Sequence, residues 1–102
     1  MTGVGFATSP TPPHLTLSGE IDFSIAPDLR EVGPGLAASV APGRLVVDLG
    51  DVTFIDSSGL GALVALRNTA DARGATLVLV HLRPAITRFF EIAGVTGSFQ
   101  VE

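Results

Sequence analysis

Two adjacent hydroxyls, Ser57 and Ser58, stand between an aspartate and two glycines in the run Phe54, Ile55, Asp56, Ser57, Ser58, Gly59, Leu60, Gly61. Residues of these types suggest several chemistries. A serine nucleophile requires a base and a group that orients that base, and the bases on offer are His14 and His81. The nucleophile-elbow spacing of glycine, any residue, serine, any residue, glycine is absent, and His81 closes an apolar run, where it reads as a structural residue near a sheet edge. Gly59 and Gly61 hint at phosphate cradling, yet no Lys followed by Ser/Thr comes after them and no third glycine stands at dinucleotide spacing. They read instead as residues that let a helix begin close to a sheet. Asp48, Asp51 and Asp56 would suit a paired-carboxylate acid and base, but acids around one strand end serve as readily as caps and turn formers. The two histidines and scattered carboxylates lack metal-ligand spacing.

What remains is a hydroxyl open to modification. Asp56 and Ser57 are both good N-cap types, since a short side-chain oxygen can accept from an otherwise unpaired first-turn N–H. If one of them caps, Ser58 falls in the first turn with its hydroxyl facing solvent. Gly59, Gly61, Ala62 and Ala65 are small enough to let another backbone approach; tight packing inside the domain explains them equally well.

The elements that must hold this stretch follow from periodicity. Val4 and Phe6 alternate weakly within residues 1 to 8, a short edge strand ended by the proline-rich run 9 to 13. His14 to Glu20 alternates as a half-buried strand. From Ser24 to about Val40 the spacing of Leu29, Val32 and Leu36 is helical. Gly33, Pro34, Gly35 interrupts it, and an interior proline costs about 3 kcal/mol, so a kink or two short helices is expected. Arg44 to Leu49 and Ala75 to Leu82 are β-branched apolar runs, the pattern of strands covered on both faces. Between them a helix from about Ser57 to Ala72 carries Leu60, Leu63, Val64 and Ala70 on one arc. Arg67 shares that arc, its stem on apolar surface and its guanidinium reaching water. Pro84 opens a last amphipathic helix with Ile86, Phe89, Phe90 and Ala93, and residues 98 to 101 form a short final strand. Strands alternating with helices imply an α/β domain with one open, mostly parallel sheet.

At 102 residues the chain makes one domain, long enough to bury roughly 60 to 70% of its unfolded surface. Hydrophobic residues are 46% and charged residues 16%, which leaves limited polar cover and some apolar surface for a partner. A net charge of −4 argues against nucleic acid as a ligand. The absence of cysteine excludes disulfides and thiol chemistry and fits the reducing cytoplasm. No basic leader or apolar run of about 18 residues points to export or a membrane.

The run LVVDLGDVTFIDSSGLG at residues 45 to 61 closely resembles the STAS domain family, and within it the bacterial anti-sigma factor antagonists. RGATLVLVHLRPAITRFFEIAGV, residues 73 to 95, is similar to the family's fourth strand and third helix, and LTLSGEID, residues 15 to 22, to its early strand and turn. The resemblance implies a single STAS domain over residues 1 to 102 that is not an enzyme and needs no cofactor or metal. It implies phosphorylation of Ser58, with Ser57 the alternative, by an anti-sigma factor that is also a serine kinase. The unphosphorylated form would bind that kinase and free its sigma factor, and a serine phosphatase would reset the modified form. Asp56 matches the acidic residue ahead of the serine pair, and Glu20 and Asp22 match a region near the partner surface. With Ser57, Ser58, Gly59, Leu60, Gly61, Ala62 and Ala65 they make the expected partner-binding set. The alternatives are a STAS accessory subunit of a lipid or anion transport system, and a small nucleotide-binding or hydrolytic enzyme using Ser57, Ser58 and a histidine. Gly33, Pro34, Gly35 departs from the family's plain first helix.

Overall fold

The computed structural model describes residues 5 to 102; Val4, half of the first alternation, lies outside them. The elements are β1 (Gly5–Thr8), β2 (Leu15–Ile21), α1 (Ala26–Val40), β3 (Arg44–Ile55), α2 (Ser57–Ala72), β4 (Thr76–Val80), α3 (Pro84–Ala93), a 3-10 turn (Thr96–Ser98) and β5 (Gln100–Val101). One five-stranded sheet runs in the order β1-β2-β3-β4-β5. β1 is antiparallel to β2 and every other pairing is parallel. Among the described residues no helix is long and apolar enough to cross a membrane.

Successive parallel strands step one place along the sheet each time, so right-handed crossovers put their helices on a single side. The burial agrees. Leu15 pairs with Val47 and Val47 with Leu79, while Leu45 pairs with Leu77, and all of these join one core with Leu29 and Ala37 of α1, Leu63 and Leu66 of α2, and Ile86 and Phe90 of α3. Phe90 meets Phe99 in a tilted pair with ring centroids 5.4 Å apart, which ties α3 to the residue just ahead of β5. The expectation that β3 and β4 are covered on both faces holds only in part: Val78, on the face of β4 away from Leu77 and Leu79, is fully buried. Its neighbours on that face, Val46, Asp48 and Val80, are only half-buried. An apolar β-branched run reports strand propensity, and it does not report which side a helix will cover.

Two further differences have local causes. β3 does not stop at Leu49 but continues six residues to Ile55. Its register against β2 slips between Thr16 and Ser18 and again between Gly19 and Glu20, the sign of bulges that absorb extra residues without ending a strand. Asp48 Oδ1 accepts from Gly50 N at 2.7 Å inside the first of them.

The expected break in α1 is also absent. Pro34 lies within an unbroken 15-residue helix whose residues Ala26, Leu29, Gly33 and Ala37 are buried. Gly33 packs so closely on α2 that a Cβ there would stand 2.9 Å from Leu66 Cδ1. Packing of this face outweighs the one hydrogen bond that Pro34 cannot donate. Replacing the ring should release part of that cost: Pro34→Ala is expected to raise unfolding free energy by about 1 kcal/mol, reduced from the full helix-interior penalty by the greater freedom of the unfolded chain. Urea denaturation followed by far-UV circular dichroism measures it.

Candidate functional site

The serine pair is presented by the junction of β3 with α2. Ile55 is buried and pairs with Ile21, and the next amide, Asp56 N, donates to Ile21 O at 3.3 Å. Asp56 is the N-cap: its backbone is extended, with φ −108° and ψ −174°, and its Oδ1 accepts from Gly59 N at 2.9 Å. Its carbonyl accepts from Leu60 N at 2.9 Å. Asp56 thus takes the capping role that Ser57 competed for in the sequence. Ser57 and Ser58 occupy the first two helical positions, and both are exposed. Capping by aspartate is worth about 1 kcal/mol, so Asp56→Ala is expected to lower stability by that amount in thermal or urea unfolding, with the fold retained.

The neighbouring small residues divide. Gly59 is buried, and a Cβ on it would lie 2.0 Å from Ile21 O, so its bareness lets α2 start directly against the end of β2. Ala62 is fully buried in the core. For these two, interior packing is the explanation, and neither offers surface to a partner. Gly61 and Ala65 are half-buried. Of the expected arc, Leu63 and Ala70 are buried in the core, and Leu60 and Val64 are half-buried and packed against it. Both line an apolar groove of about 420 Å³ between α2 and α3, together with Ser57, Gly61, Phe89, Ile92, Ala93 and Val95. Arg67 does not extend into water as expected; it is half-buried, and its Nη1 donates to Ser98 O at 3.1 Å, tying α2 to the 3-10 turn.

Glu20 and Asp22 lie at the end of β2, on the side of the sheet from which α2 starts. Glu20 is exposed and pairs in register with Phe54. Asp22 accepts from Ser24 Oγ at 2.6 Å and from Ser24 N at 3.0 Å, and these bonds, the hydroxyl first, hold its carboxyl below the usual aspartate range. Two exposed aromatics flank these acids: Phe23 in the turn, 73% exposed, and Phe54, 51% exposed. Sequence reasoning missed both. Phe23 adjoins Asp22 in the chain, a large apolar side chain beside a turn acid that could have found it, whereas Phe54 meets Glu20 only through strand pairing.

The residues of the enzyme alternatives do not gather here. His14 is buried and its Nδ1 accepts from Val46 N at 3.1 Å. His81 follows β4, with its Nδ1 3.2 Å from Asp48 Oδ1. Neither imidazole is hydrogen-bonded to Ser57 or Ser58. Asp48 turns the bulge, Asp56 caps a helix and Asp51 is exposed, so the three acids do not form one site.

A family model described as "Mlab, STAS domain" matches residues 4–101. The chain is 31% identical over 87 residues to a STAS-domain containing protein of Pseudomonas aeruginosa, covering 85% of this chain and 84% of that protein. It is 37% identical over 81 residues to the anti-sigma-B factor antagonist of Bacillus subtilis, covering 79% and 72%. The crystal structure of an anti-sigma factor antagonist from Mycobacterium paratuberculosis superposes with a TM-score of 0.70 at 31% identity, covering 85% of this chain and 73% of that one. An open α/β sheet with its helices on one face, a serine pair opening α2 and a family match along almost the whole chain agree, and this chain belongs to the STAS domain family.

Proposed function

We propose that this protein is an anti-sigma factor antagonist whose binding is switched by phosphorylation of Ser58. Unphosphorylated, it binds an anti-sigma factor that carries serine kinase activity, and so releases the sigma factor held by that partner. A serine phosphatase restores the binding form, and the cycle runs in the cytoplasm. The domain itself is a regulator and a kinase substrate, not an enzyme. The observation that carries this reading is the exposed Ser58 in the first turn of α2, relieved of any capping duty by Asp56. Ser57 is exposed too, but it also lines the α2–α3 groove. The relatives named by role are antagonists, which supports this reading over a transport accessory.

The partner surface in this reading comprises Glu20, Asp22, Ser57, Ser58, Leu60, Gly61 and Ala65, with Asp56 holding the helix start and Phe23 and Phe54 at its edge. A phosphate adds about −1.5 to −2 charge. The positive end of the helix dipole tolerates that charge inside the domain, whereas a partner surface shaped for a small hydroxyl must desolvate or repel it. Incubated with its cognate kinase and ATP, the protein is expected to gain one phosphate, at Ser58, and Ser58→Ala to gain none. Mass spectrometry that places the phosphate on another residue overturns the assignment.

A further inference from the structure

We infer that Arg30 is the counter-ion of the phosphate on Ser58, drawing it against α1 in the modified form. The inference rests on the phosphorylation reading and adds to it a residue from a different helix. Arg30 is the fifth residue of α1 and Gly61 the fifth of α2. Their side of the packing is close: a Cβ on Gly61 would stand 3.3 Å from an Nη2 of Arg30. The bare backbone at Gly61 leaves the guanidinium room to lie on the first turns of α2.

The direction is set by the fold. α1 and α2 follow the parallel strands β2 and β3, so both helices begin at the same end of the sheet. Side chains on a helix lean toward its N-terminus, which aims Arg30 at the end that carries Ser58. Ser58 and Gly61 are three residues apart on α2, a spacing that brings Cβ positions within roughly 5–6 Å. A phosphoryl group extending from Ser58 Oγ therefore comes within reach of a guanidinium already lying at Gly61.

The charge balance points the same way. A dianion on Ser58 would stand close to the Asp56 carboxylate, which caps the same turn. All six basic residues of the chain are arginines, and three are tied elsewhere: Arg44 to Glu102, Arg67 to Ser98 and Arg83 to Gly50. Arg73 follows the far end of α2 and Arg88 lies on α3. Among the described residues Arg30 is exposed and takes part in none of the ion pairs or side-chain hydrogen bonds, so pairing with phosphate breaks nothing. Guanidinium and phosphate form short, charge-assisted and often bidentate hydrogen bonds.

The test installs phosphoserine at position 58 during translation, so that no kinase is involved and its outcome is separate from the kinase assay above. Phosphorus NMR then follows the second ionisation of the phosphate, ordinarily near pH 6. A paired cation favours the dianion, so the midpoint in the otherwise unaltered protein should lie about 0.5 pH units or more below that in Arg30→Gln, with Arg30→Lys between them. Unmodified Arg30→Gln should melt with the unmodified parent. Equal midpoints in the parent and Arg30→Gln overturn the inference, as does loss of the fold in unmodified Arg30→Gln, which would make Arg30 a structural residue.

Discussion

Gly59→Ala is expected to destabilise the domain by about 3 kcal/mol, the upper range for forcing extra atoms into packed structure. The reason is local and steric. The added methyl would lie 2.0 Å from the carbonyl oxygen of Ile21 and 2.8 Å from its carbonyl carbon, and backbone at the end of a paired strand has little freedom to withdraw. Relief requires α2 to lift from β2, which would pull on the Asp56 N to Ile21 O bond and open the contact between Ala62 and the core. The urea midpoint should fall sharply with the slope unchanged. Gly61→Ala is the control on the same turn. There the nearest atom is the end of a flexible arginine, and the gain of up to about 1 kcal/mol in helix propensity offsets the crowding. A Gly59→Ala protein as stable as its parent would mean that α2 does not start against β2.

Ser58→Asp is expected to leave the fold intact and weaken binding of the proposed anti-sigma partner at least about tenfold, the equivalent of about 1.4 kcal/mol. The two substitutions stand at adjacent positions, yet Gly59 faces the end of β2 while Ser58 faces solvent. A carboxylate at the second helical position meets the positive end of the dipole, so unfolding free energy should stay within about 1 kcal/mol of the parent. Calorimetric titration of the partner together with a thermal melt reads both quantities. Undiminished affinity removes charge at this position as the switch; a large loss of melting temperature makes Ser58 structural. The contrast between neighbours is the sharper result, since it separates a residue that seats the helix from one that the helix displays.

The serine site was readable because its signals are local. Asp, Ser and Gly at a strand-to-helix junction declare a cap, an exposed first turn and a close approach, whatever the rest of the chain does. The helix after Ser57 and the strand at Leu45 followed from periodicity in the same way. Where the reading failed, the deciding atoms came from elsewhere. α1 stays whole through Pro34 because its Gly33 face is held on Leu66, 33 residues away. β3 runs past Gly50 because β2 continues beside it and the bulge absorbs the misfit. Leu60 packs against the core as its arc implied, and that it also walls a groove depends on how α3 stands beside α2.

The amino-acid sequence alone determined the order of strands and helices, the family, and the place where a hydroxyl meets a helix start, because capping, turn chemistry and hydrophobic period act within a few residues. Only the tertiary structure decided that Gly59 and Ala62 turn inward while Phe23 and Phe54 stay out, and that Arg30 of α1 lies along α2. Those outcomes depend on which face of one element meets another, and residue spacing along a chain carries no record of what will come to rest across the gap.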